Sequence, residues 1–561
     1  MSRTSKFWTI SIAVIAVVFV VVFAGSTLIN HLTADQKVTN ANKVEILNKM
    51  LSDVTVHHAK PIKGNVDLTK ADVAAELPPI SKSPVTVENT TSNYAELFSS
   101  PEKAGSGANG WINDTANAFN KQGFTINGQT VSVKIRNVNS GQALDYIRTK
   151  KYVPDGFAPS NELWGQMVAA SGIPIDKVSN SLVGNVAGIV LNKQKYNELK
   201  KEYGSITAKT IINAMTKSEL TMGYTDPFQS STGINFLVNV LKTFDGKNML
   251  SRKSVDGFNQ FQKSVPFTAL TTLQMTDAAK SGQLDGFIME YQTYHNDPYI
   301  RDQYVFTPFG IRHDNPLYAL DKITSEKKQI LQKFAQFAAQ KQYQSLAYTD
   351  GFNRLPGYKS SYTAPDGNTL TDAQNLWKQN KNANNPVSAV FVADVSGSMN
   401  GIKISRLKES LITAQKYLGR NNSIGLLSYS DDVTVNLPIA KFDLDQQAKF
   451  AGAVRGLQAS GGTATYDAAL QAVKMLQNYD KSHPNNRPMI FILTDGYQNE
   501  GHSFDDVKSL LKIYRMPIYT IGYQANIDIL KQVSGLNEAA SINADSSDVI
   551  YQIKNLFNSQ M

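Results

Sequence analysis

Residues 387–399 read Val-Ser-Ala-Val-Phe-Val-Ala-Asp-Val-Ser-Gly-Ser-Met, and this stretch decides the fold of the C-terminal region. The apolar run before Asp394 is typical of a strand buried on both faces of a parallel sheet. Such a strand delivers Asp394, Ser396 and Ser398 to one tight loop at the carboxyl edge of the sheet, where open α/β sheets bind ligands. The pattern therefore predicts a site of oxygen ligands at this edge.

Two further segments are predicted to reach the same edge. The glycine-rich loop 461–465 contains Thr463 and opens a helix, and the apolar strand 489–494 is followed by Asp495. Hydroxyl and carboxylate oxygens suit a hard cation such as Mg²⁺, which prefers six oxygen ligands and keeps some waters. Because few of these donors are charged, the ion stays electrophilic and can accept a carboxylate from another molecule. The predicted metal ligands are Asp394, Ser396, Ser398, Thr463 and Asp495.

This order of motifs resembles the metal-ion-dependent adhesion site (MIDAS) of von Willebrand factor A domains, with all five positions filled. The resemblance covers about 387–561 and implies a Rossmann-like domain, assigned to 386–561, with a central, mostly parallel sheet. It implies hydroxyl ligands from Ser396, Ser398 and Thr463, with the two aspartates acting mostly through water. The sixth position is then left for a partner. Mg²⁺ is the expected ion, with Mn²⁺ or Ca²⁺ as alternatives, and Asp467 and Ser428 stay outside the primary set.

The N-terminus carries a membrane signal. Arg3 and Lys6 precede an uncharged run at 8–24, which residues 25–28 lengthen towards the span of a bilayer. Basic residues on this side keep that end cytoplasmic. We therefore expect residues 1–28 to be a single-pass membrane helix, with the bulk of the chain extracytoplasmic. A signal peptide cleaved near Ala24 is the alternative and would give a secreted protein.

Residues 29–90 are predicted to be a spacer, because several prolines interrupt any periodicity, and the pair His57-His58 within it is expected to be unstructured. Residues 91–385 alternate short apolar runs with helical stretches, including a helix over 328–347, and this alternation indicates an α/β architecture. Here the serine-rich turns resemble those of type II periplasmic solute-binding proteins, in particular a group fused directly to a von Willebrand A domain. The resemblance implies two lobes with a ligand cleft between them. The candidate cleft residues are Ser140, Ser160, Ser230, Ser231, Thr232 and Glu290.

Each of these serines and threonines sits near a predicted helix start. Backbone N–H groups at helix N-termini bind anions, and neighbouring hydroxyls add to such a site. The alternative role for each of them is that of an ordinary helix N-cap. A small solute in the middle domain therefore remains one of two interpretations.

Composition excludes several function classes. The net charge of +9 over 561 residues is modest, and the basic residues are scattered among acids, so nucleic acid is not an expected partner. The chain has no cysteine, which excludes disulfides, thiolate metal sites and a cysteine nucleophile. No nucleophile elbow, zinc-protease motif or phosphate-binding loop is present. Four histidines, expected to be solvated in loops or at element ends, are His295, His313, His483 and His502.

These patterns lead to one main hypothesis and two alternatives. We expect a membrane-tethered bacterial surface protein, not an enzyme, that adheres through its cation to a protein or envelope partner presenting a carboxylate. The first alternative is a solute receptor of a transporter, with the A domain as its docking module. The second is an assembly factor that inserts metals into enzymes, which an extracytoplasmic location disfavours.

Overall fold

The computed structural model describes residues 38–67, 72–265, 268–269, 275, 279, 284–321, 323–382, 385–523, 525, 534, 541–544 and 549–561. The predicted membrane segment at 1–28 lies outside these ranges. Across the part of the chain that is described, no helix is both long and apolar enough to cross a bilayer.

Up to residue 90 the elements are α1 (Lys43–Leu51), β1 (Val56–His58), α2 (Val73–Glu76) and β2 (Val85–Val87). Up to the first change of sheet they are β3 (Asn93–Ser99), α3 (Pro101–Ala104), α4 (Trp111–Lys121), β4 (Thr125–Ile126), β5 (Gln129–Asn137), α5 (Ser140–Arg148), β6 (Gly156–Ala158), α6 (Leu163–Ala170) and β7 (Ile175–Ser179).

The chain continues with β8 (Asn185–Asn192), α7 (Lys193–Tyr203), α8 (Ala208–Thr216), β9 (Met222–Thr225), α9 (Ser231–Phe244), α10 (Arg252–Gln262), β10 (Thr268–Ala269), β11 (Gly286–Glu290), α11 (Tyr291–Asn296), α12 (Pro298–Gln303) and β12 (Tyr304–His313). It then returns with β13 (Leu317–Leu320), α13 (Ser325–Ala338), α14 (Lys341–Thr349) and α15 (Gly367–Asn380).

The C-terminal elements are β14 (Val387–Asp394), α16 (Ile402–Ala414), β15 (Ser423–Tyr429), β16 (Val433–Lys441), α17 (Leu444–Gly456), α18 (Thr465–Asp480), β17 (Arg487–Thr494), α19 (Phe504–Tyr514), β18 (Ile518–Tyr523), β19 (Ser541–Ala544) and α20 (Val549–Gln560). Short 3₁₀ helices lie at Ile80–Lys82, Gly107–Asn109, Gly397–Met399 and Gln415–Tyr417.

Two sheets make the middle of the chain a two-lobed structure. The first lobe has the strand order β2-β5-β3-β6-β13-β7, with β4 added to β5, and the second has the order β10-β9-β11-β8-β12. The chain passes from the first sheet to the second after β7 and returns after β12. Helix α15 packs against α6 of the first lobe and against α9 and α10 of the second, so it joins the two.

The C-terminal region is built on a sheet of order β1-β16-β15-β14-β17-β18-β19. Neighbouring strands are parallel except for β15 and β16, so the sheet is mostly parallel as predicted. Strand β14 is central and fully buried, which explains its nearly continuous apolar sequence. Parallel neighbours place the carboxyl ends of β14 and β17 at the same edge.

The expected spacer contains ordered structure that belongs to the C-terminal sheet. Strand β1 pairs in parallel with the edge strand β16, and α1 buries Leu47 among the apolar side chains of α18 and α19. The backbone at Ile62 packs so closely against Gly452 of α17 that a Cβ added to Gly452 would lie 1.8 Å from the Ile62 carbonyl oxygen. We call residues 43–65 the N-terminal strap; the pair His57-His58 lies in its strand and is not unstructured.

The helix predicted over 328–347 is two helices, α13 and α14. Gln340 leaves the helical conformation, with φ −64° and ψ 145°, and the chain changes direction there. Phe337 and Tyr343 on either side of the break bring their rings to 4.5 Å, packed into the core of the first lobe. Tertiary packing of these two rings therefore overrides the continuous helical pattern.

Candidate functional site

The first metal candidate, Asp394, is buried at the carboxyl end of β14. Its Oδ2 accepts a hydrogen bond from Thr494 Oγ1 (2.6 Å), and its Oδ1 accepts one from the backbone N–H of Ser396 (2.9 Å). Burial raises the pKa of the Asp394 carboxyl, although both hydrogen bonds oppose that shift. The side chain is therefore fixed in place by the end of β17 and by its own loop.

The remaining loop oxygens form a chain that ends at the second aspartate. Ser396 Oγ lies 3.0 Å from Ser398 Oγ, which donates to Asp495 Oδ1 at 3.1 Å. The other oxygen of the buried Asp495 accepts a hydrogen bond from Lys403 Nζ at 2.8 Å. The sequence analysis did not single out Lys403, which lies in the first turn of α16, directly after the loop.

The glycine-rich loop is hydrogen-bonded to the other two loops. The Gly397 N–H donates to the Gly461 carbonyl (2.9 Å), and the Thr463 N–H donates to Asn499 Oδ1 (2.8 Å). Gly461 has φ +79°, and an added Cβ would lie 2.2 Å from Asp431 Oδ2, so the position favours glycine. Thr463 is buried just before α18. All five predicted residues therefore belong to three interconnected loops at one sheet edge.

This set contains two carboxylates and three hydroxyls. In the described part of the chain no three His, Asp or Glu side chains cluster as a metal site, so the hydroxyls are essential to any ion bound here. Beside the set, Asp467 Oδ1 accepts hydrogen bonds from His502 Nδ1 (2.6 Å) and from the His502 N–H (3.1 Å). This interaction raises the pKa of His502, which the sequence had suggested was simply solvated.

The candidate cleft residues lie where the two lobes meet, and most bond to one another. Trp164 Nε1 of the first lobe donates to Ser231 Oγ of the second (2.8 Å), and Ser231 Oγ donates to Ser140 Oγ (3.2 Å). Ser230 caps α9 by accepting a hydrogen bond from the Gly233 N–H (3.2 Å), which is the N-cap alternative. The lobes are therefore in direct contact at these helix starts.

Glu290 is buried in a second polar cluster at this boundary. Its carboxylate contacts His313 Nδ1 (2.7 Å), Asn185 Nδ2 (3.0 Å) and Thr232 Oγ1 (3.4 Å). The prediction that His313 is solvated is wrong, because the side chain is completely buried. No local sequence pattern links residues this far apart in the chain.

The first lobe contributes a buried charge that the sequence analysis also missed. Ser160 Oγ donates to Glu102 Oε1 (2.6 Å), and the buried Lys103 Nζ donates to Ser100 Oγ (2.5 Å). Burial lowers the pKa of Lys103, while the charges of Glu102 and Glu290 oppose that shift. The sequence did carry a signal for Lys103. This basic residue lies in a helix that follows the end of a strand, at the same sheet edge as Ser140.

Two regions of the chain match known families. Residues 389–558 match the von Willebrand factor type A domain, and residues 104–353 match the bacterial extracellular solute-binding protein family. The protein combines these two domains. Together they indicate an extracellular binding or adhesion protein.

Curated relatives match a part of the chain about the length of one domain. The inter-alpha-trypsin inhibitor heavy chain H3 of Bos taurus is 29% identical over 155 residues, which is 26% of this chain and 17% of that protein. The chain therefore spans about a sixth of that relative.

Among solved structures, the von Willebrand factor type A protein from Catenulispora acidiphila has 19% identity and a TM-score of 0.28, covering 31% of this chain and 42% of its own. Iron-bound HitA from Pseudomonas aeruginosa has 12% identity and a TM-score of 0.37, and the match covers 52% of this chain and 99% of HitA.

Proposed function

We propose that this protein is an extracellular, membrane-anchored binding protein that adheres to its partner through a divalent cation. Asp394, Ser396, Ser398, Thr463 and Asp495 of the von Willebrand A domain would hold the ion, and a carboxylate of a protein or envelope partner would complete its coordination. The apolar run at 8–24 would supply the anchor. The domains would bind and not catalyse.

The spacing of the donor oxygens supports Mg²⁺ as the ion. Adjacent ligands in a Mg²⁺ octahedron lie about 2.9 Å apart, against about 3.3–3.7 Å in an octahedron around Ca²⁺. The separations from Ser396 Oγ to Ser398 Oγ (3.0 Å) and from Ser398 Oγ to Asp495 Oδ1 (3.1 Å) match the smaller value. These oxygens are hydrogen-bonded to one another, and a bound ion would replace those hydrogen bonds at a similar spacing.

The charge of the site supports a carboxylate as the partner's ligand. Two carboxylates would balance a divalent ion, and the ammonium of Lys403 adds one further positive charge beside Asp495. With an ion bound, the part of the site formed by Asp394, Asp495 and Lys403 would carry net positive charge in a partly buried setting, which favours an anionic sixth ligand. The observation that carries the proposal is the unbroken contact from Ser396 to Asp495.

Thermal unfolding of the full chain in detergent micelles tests this function, in Mg²⁺, Mn²⁺, Ca²⁺ or chelator. We expect Mg²⁺ to raise the unfolding temperature, since an ion at 100 times its Kd adds about 2.7 kcal/mol. Asp394→Asn should lose the rise, whereas Asp505→Asn, which alters an exposed aspartate of the same domain, should keep it. Equal unfolding temperatures in Mg²⁺ and in chelator would contradict the proposal.

A solute receptor is the second candidate, and the buried Lys103 favours it. The Lys103 ammonium lies beside the Ser100 hydroxyl and 3.3 Å from Glu102 Oε1, and it would bind an anionic solute in place of Glu102 once the lobes separate. Thermal stabilisation by small carboxylates or inorganic oxyanions, lost in Lys103→Met, would support this function. An unchanged unfolding temperature across that panel would count against it.

A further inference from the structure

In the part of the chain that the structure describes, two of the most exposed apolar side chains belong to segments that carry the candidate metal site. Within the described residues the exposed large hydrophobic side chains are Val44, Ile62, Tyr299, Tyr348, Ile402, Leu444 and Tyr497. Ile402 is 72% exposed and Tyr497 is 60% exposed. Exposed apolar side chains grouped with polar neighbours commonly mark interaction sites, and aromatic residues are enriched at protein interfaces.

The positions of these two side chains follow from the contacts of the site. Ile402 directly precedes Lys403, whose Nζ lies 2.8 Å from Asp495 Oδ2, and Tyr497 is two residues beyond Asp495. Ile402, the first residue of α16, and Tyr497, in the loop after β17, are therefore close neighbours along the chain of the two residues in this contact. Ser398 is exposed in the same loop region, at the place where a partner's carboxylate would reach the ion.

The border of the site along the glycine-rich loop is acidic. The Gly462 N–H donates to Asp431 Oδ1 (2.8 Å), and the Glu500 N–H donates to the Thr463 carbonyl (3.3 Å), so both acids border the glycine-rich loop. Asp431 and Glu500 are exposed. A long polyanion such as an acidic polysaccharide would be repelled here, whereas a single acidic side chain among neutral residues would not.

We propose that Ile402, Lys403 and Tyr497 form a docking rim for a protein partner that displays one acidic side chain flanked by apolar side chains. The acid would meet the ion and Lys403, and the flanking apolar groups would cover Ile402 and Tyr497. The inference rests on the proposed cation-dependent function and specifies its partner. The apolar rim is what separates this partner from other carboxylate donors.

Short disulfide-cyclised peptides test the rim on the full chain in detergent micelles. One peptide carries Glu between Leu and Phe, a second carries Glu between serines, and a third carries Gln between Leu and Phe. Oligogalacturonate serves as the acidic carbohydrate. In Mg²⁺ we expect the first peptide to bind at least about tenfold more tightly than every other probe, and to lose this advantage in chelator.

Variants distinguish the rim from the ion site. The double variant Ile402→Ser, Tyr497→Ser should bind the first peptide about tenfold more weakly. The rise in unfolding temperature caused by Mg²⁺ should stay unchanged. Ile62→Ser is the matched control, because Ile62 is 74% exposed on the N-terminal strap, and it should bind the peptide like wild type.

Three outcomes would overturn the inference while leaving the ion site intact: equal binding of the two Glu peptides, tighter binding of oligogalacturonate, or no peptide binding despite a Mg²⁺ effect on stability. Absence of any Mg²⁺ effect would overturn the proposed function and the inference together.

Discussion

The carboxylate of Asp495 has two neighbours of different character. One oxygen accepts a hydrogen bond from the Ser398 hydroxyl and the other binds the Lys403 ammonium, while the carboxylate itself is completely buried. Lys403 keeps 26% of its side-chain surface exposed. The Lys403 ammonium thus binds the same buried carboxylate that is proposed as a ligand of the divalent ion.

Replacing Lys403 should separate the roles of these two cations. In chelator, Lys403→Met is expected to lower the free energy of unfolding by about 1–3 kcal/mol, because the buried carboxylate loses a charged partner. In Mg²⁺ the variant should gain more stability than the wild type, since the ion then meets no competing ammonium. Denaturant unfolding with and without Mg²⁺ measures both effects. Lys508→Met, at an exposed pair with Asp505, should change neither, and an identical Mg²⁺ gain in wild type and Lys403→Met would contradict the argument.

The pair between His502 and Asp467 should make stability depend on pH. The hydrogen bond to Asp467 raises the pKa of His502, and the charges of Asp506 and Asp53 act in the same direction. A raised pKa in the folded state gives stability that is complete below the ordinary histidine pKa of about 6.5. That stability is lost as the pH rises through the folded value.

The unfolding temperature of the wild type should therefore exceed that of His502→Gln at pH 6, and the difference should shrink as the pH is raised. The measurement is made in chelator, so that no ion contributes. His483→Gln, an exposed histidine of the same domain that contacts the ring of Tyr479, is the control. A difference that stays constant with pH would show that the charge of His502 is not involved.

At the scale of elements, the N-terminal strap is an added edge of the von Willebrand A domain. Strand β1 supplies partners for β16, and Gly64 donates its N–H to the Ala448 carbonyl of α17 (2.8 Å). Arg455 donates to the Asn65 carbonyl (2.9 Å), and Lys63 pairs with Asp445 at the start of the same helix. The segment that would follow a membrane anchor is therefore packed against the domain that carries the candidate metal site.

A methyl group at Gly452 should loosen the strap. Its Cβ would lie 1.8 Å from the Ile62 carbonyl oxygen, so Gly452→Ala is expected to cost about 1–3 kcal/mol of stability. Trypsin should then cut faster at Lys60 and Lys63. Gly456→Ala lies in the same helix with no atom within 4 Å of its added Cβ, and it should be neutral or slightly stabilising. Equal cleavage of the two variants would mean that the strap does not depend on this contact.

At the scale of the whole molecule, both lobes and both domains meet through side chains. Tyr551 of α20, the last helix of the von Willebrand A domain, is part of the apolar core of the solute-binding domain. Lys554 of the same helix pairs with Glu76 (3.6 Å), and Glu76 also contacts Tyr417. Within the solute-binding domain, α5 of the first lobe lies against the turn before α9 of the second.

A substitution at Gly141 tests whether the two lobes stay in contact at this point. An added Cβ would lie 1.9 Å from the Phe228 carbonyl oxygen, which belongs to the other lobe, so Gly141→Ala should push the lobes apart. We expect faster amide hydrogen exchange at 139–143 and at 229–233. Gly357→Ala, with open space around the added Cβ, is the control. Unchanged amide hydrogen exchange in Gly141→Ala would exclude a close contact between the lobes at this point.

The sequence by itself determined the central parallel strands of the von Willebrand A domain and the arrival of five candidate ligands at their carboxyl edge. This was possible because each ligand directly follows a buried strand or precedes a helix, and parallel strands end at a common edge. Local pattern likewise located the helix starts at Ser140 and Ser231 in the solute-binding domain.

Only the tertiary structure decided which charges meet. Glu290 and His313 approach across the second lobe, the buried Lys103 of the first lobe lies near the charge of Glu290, and the strap reaches α17 across hundreds of residues of chain. Lys403 binds Asp495 because the first turn of α16 passes over the end of β17. Such pairings depend on how layers pack and not on local periodicity, so no pattern within a short stretch of sequence specifies them.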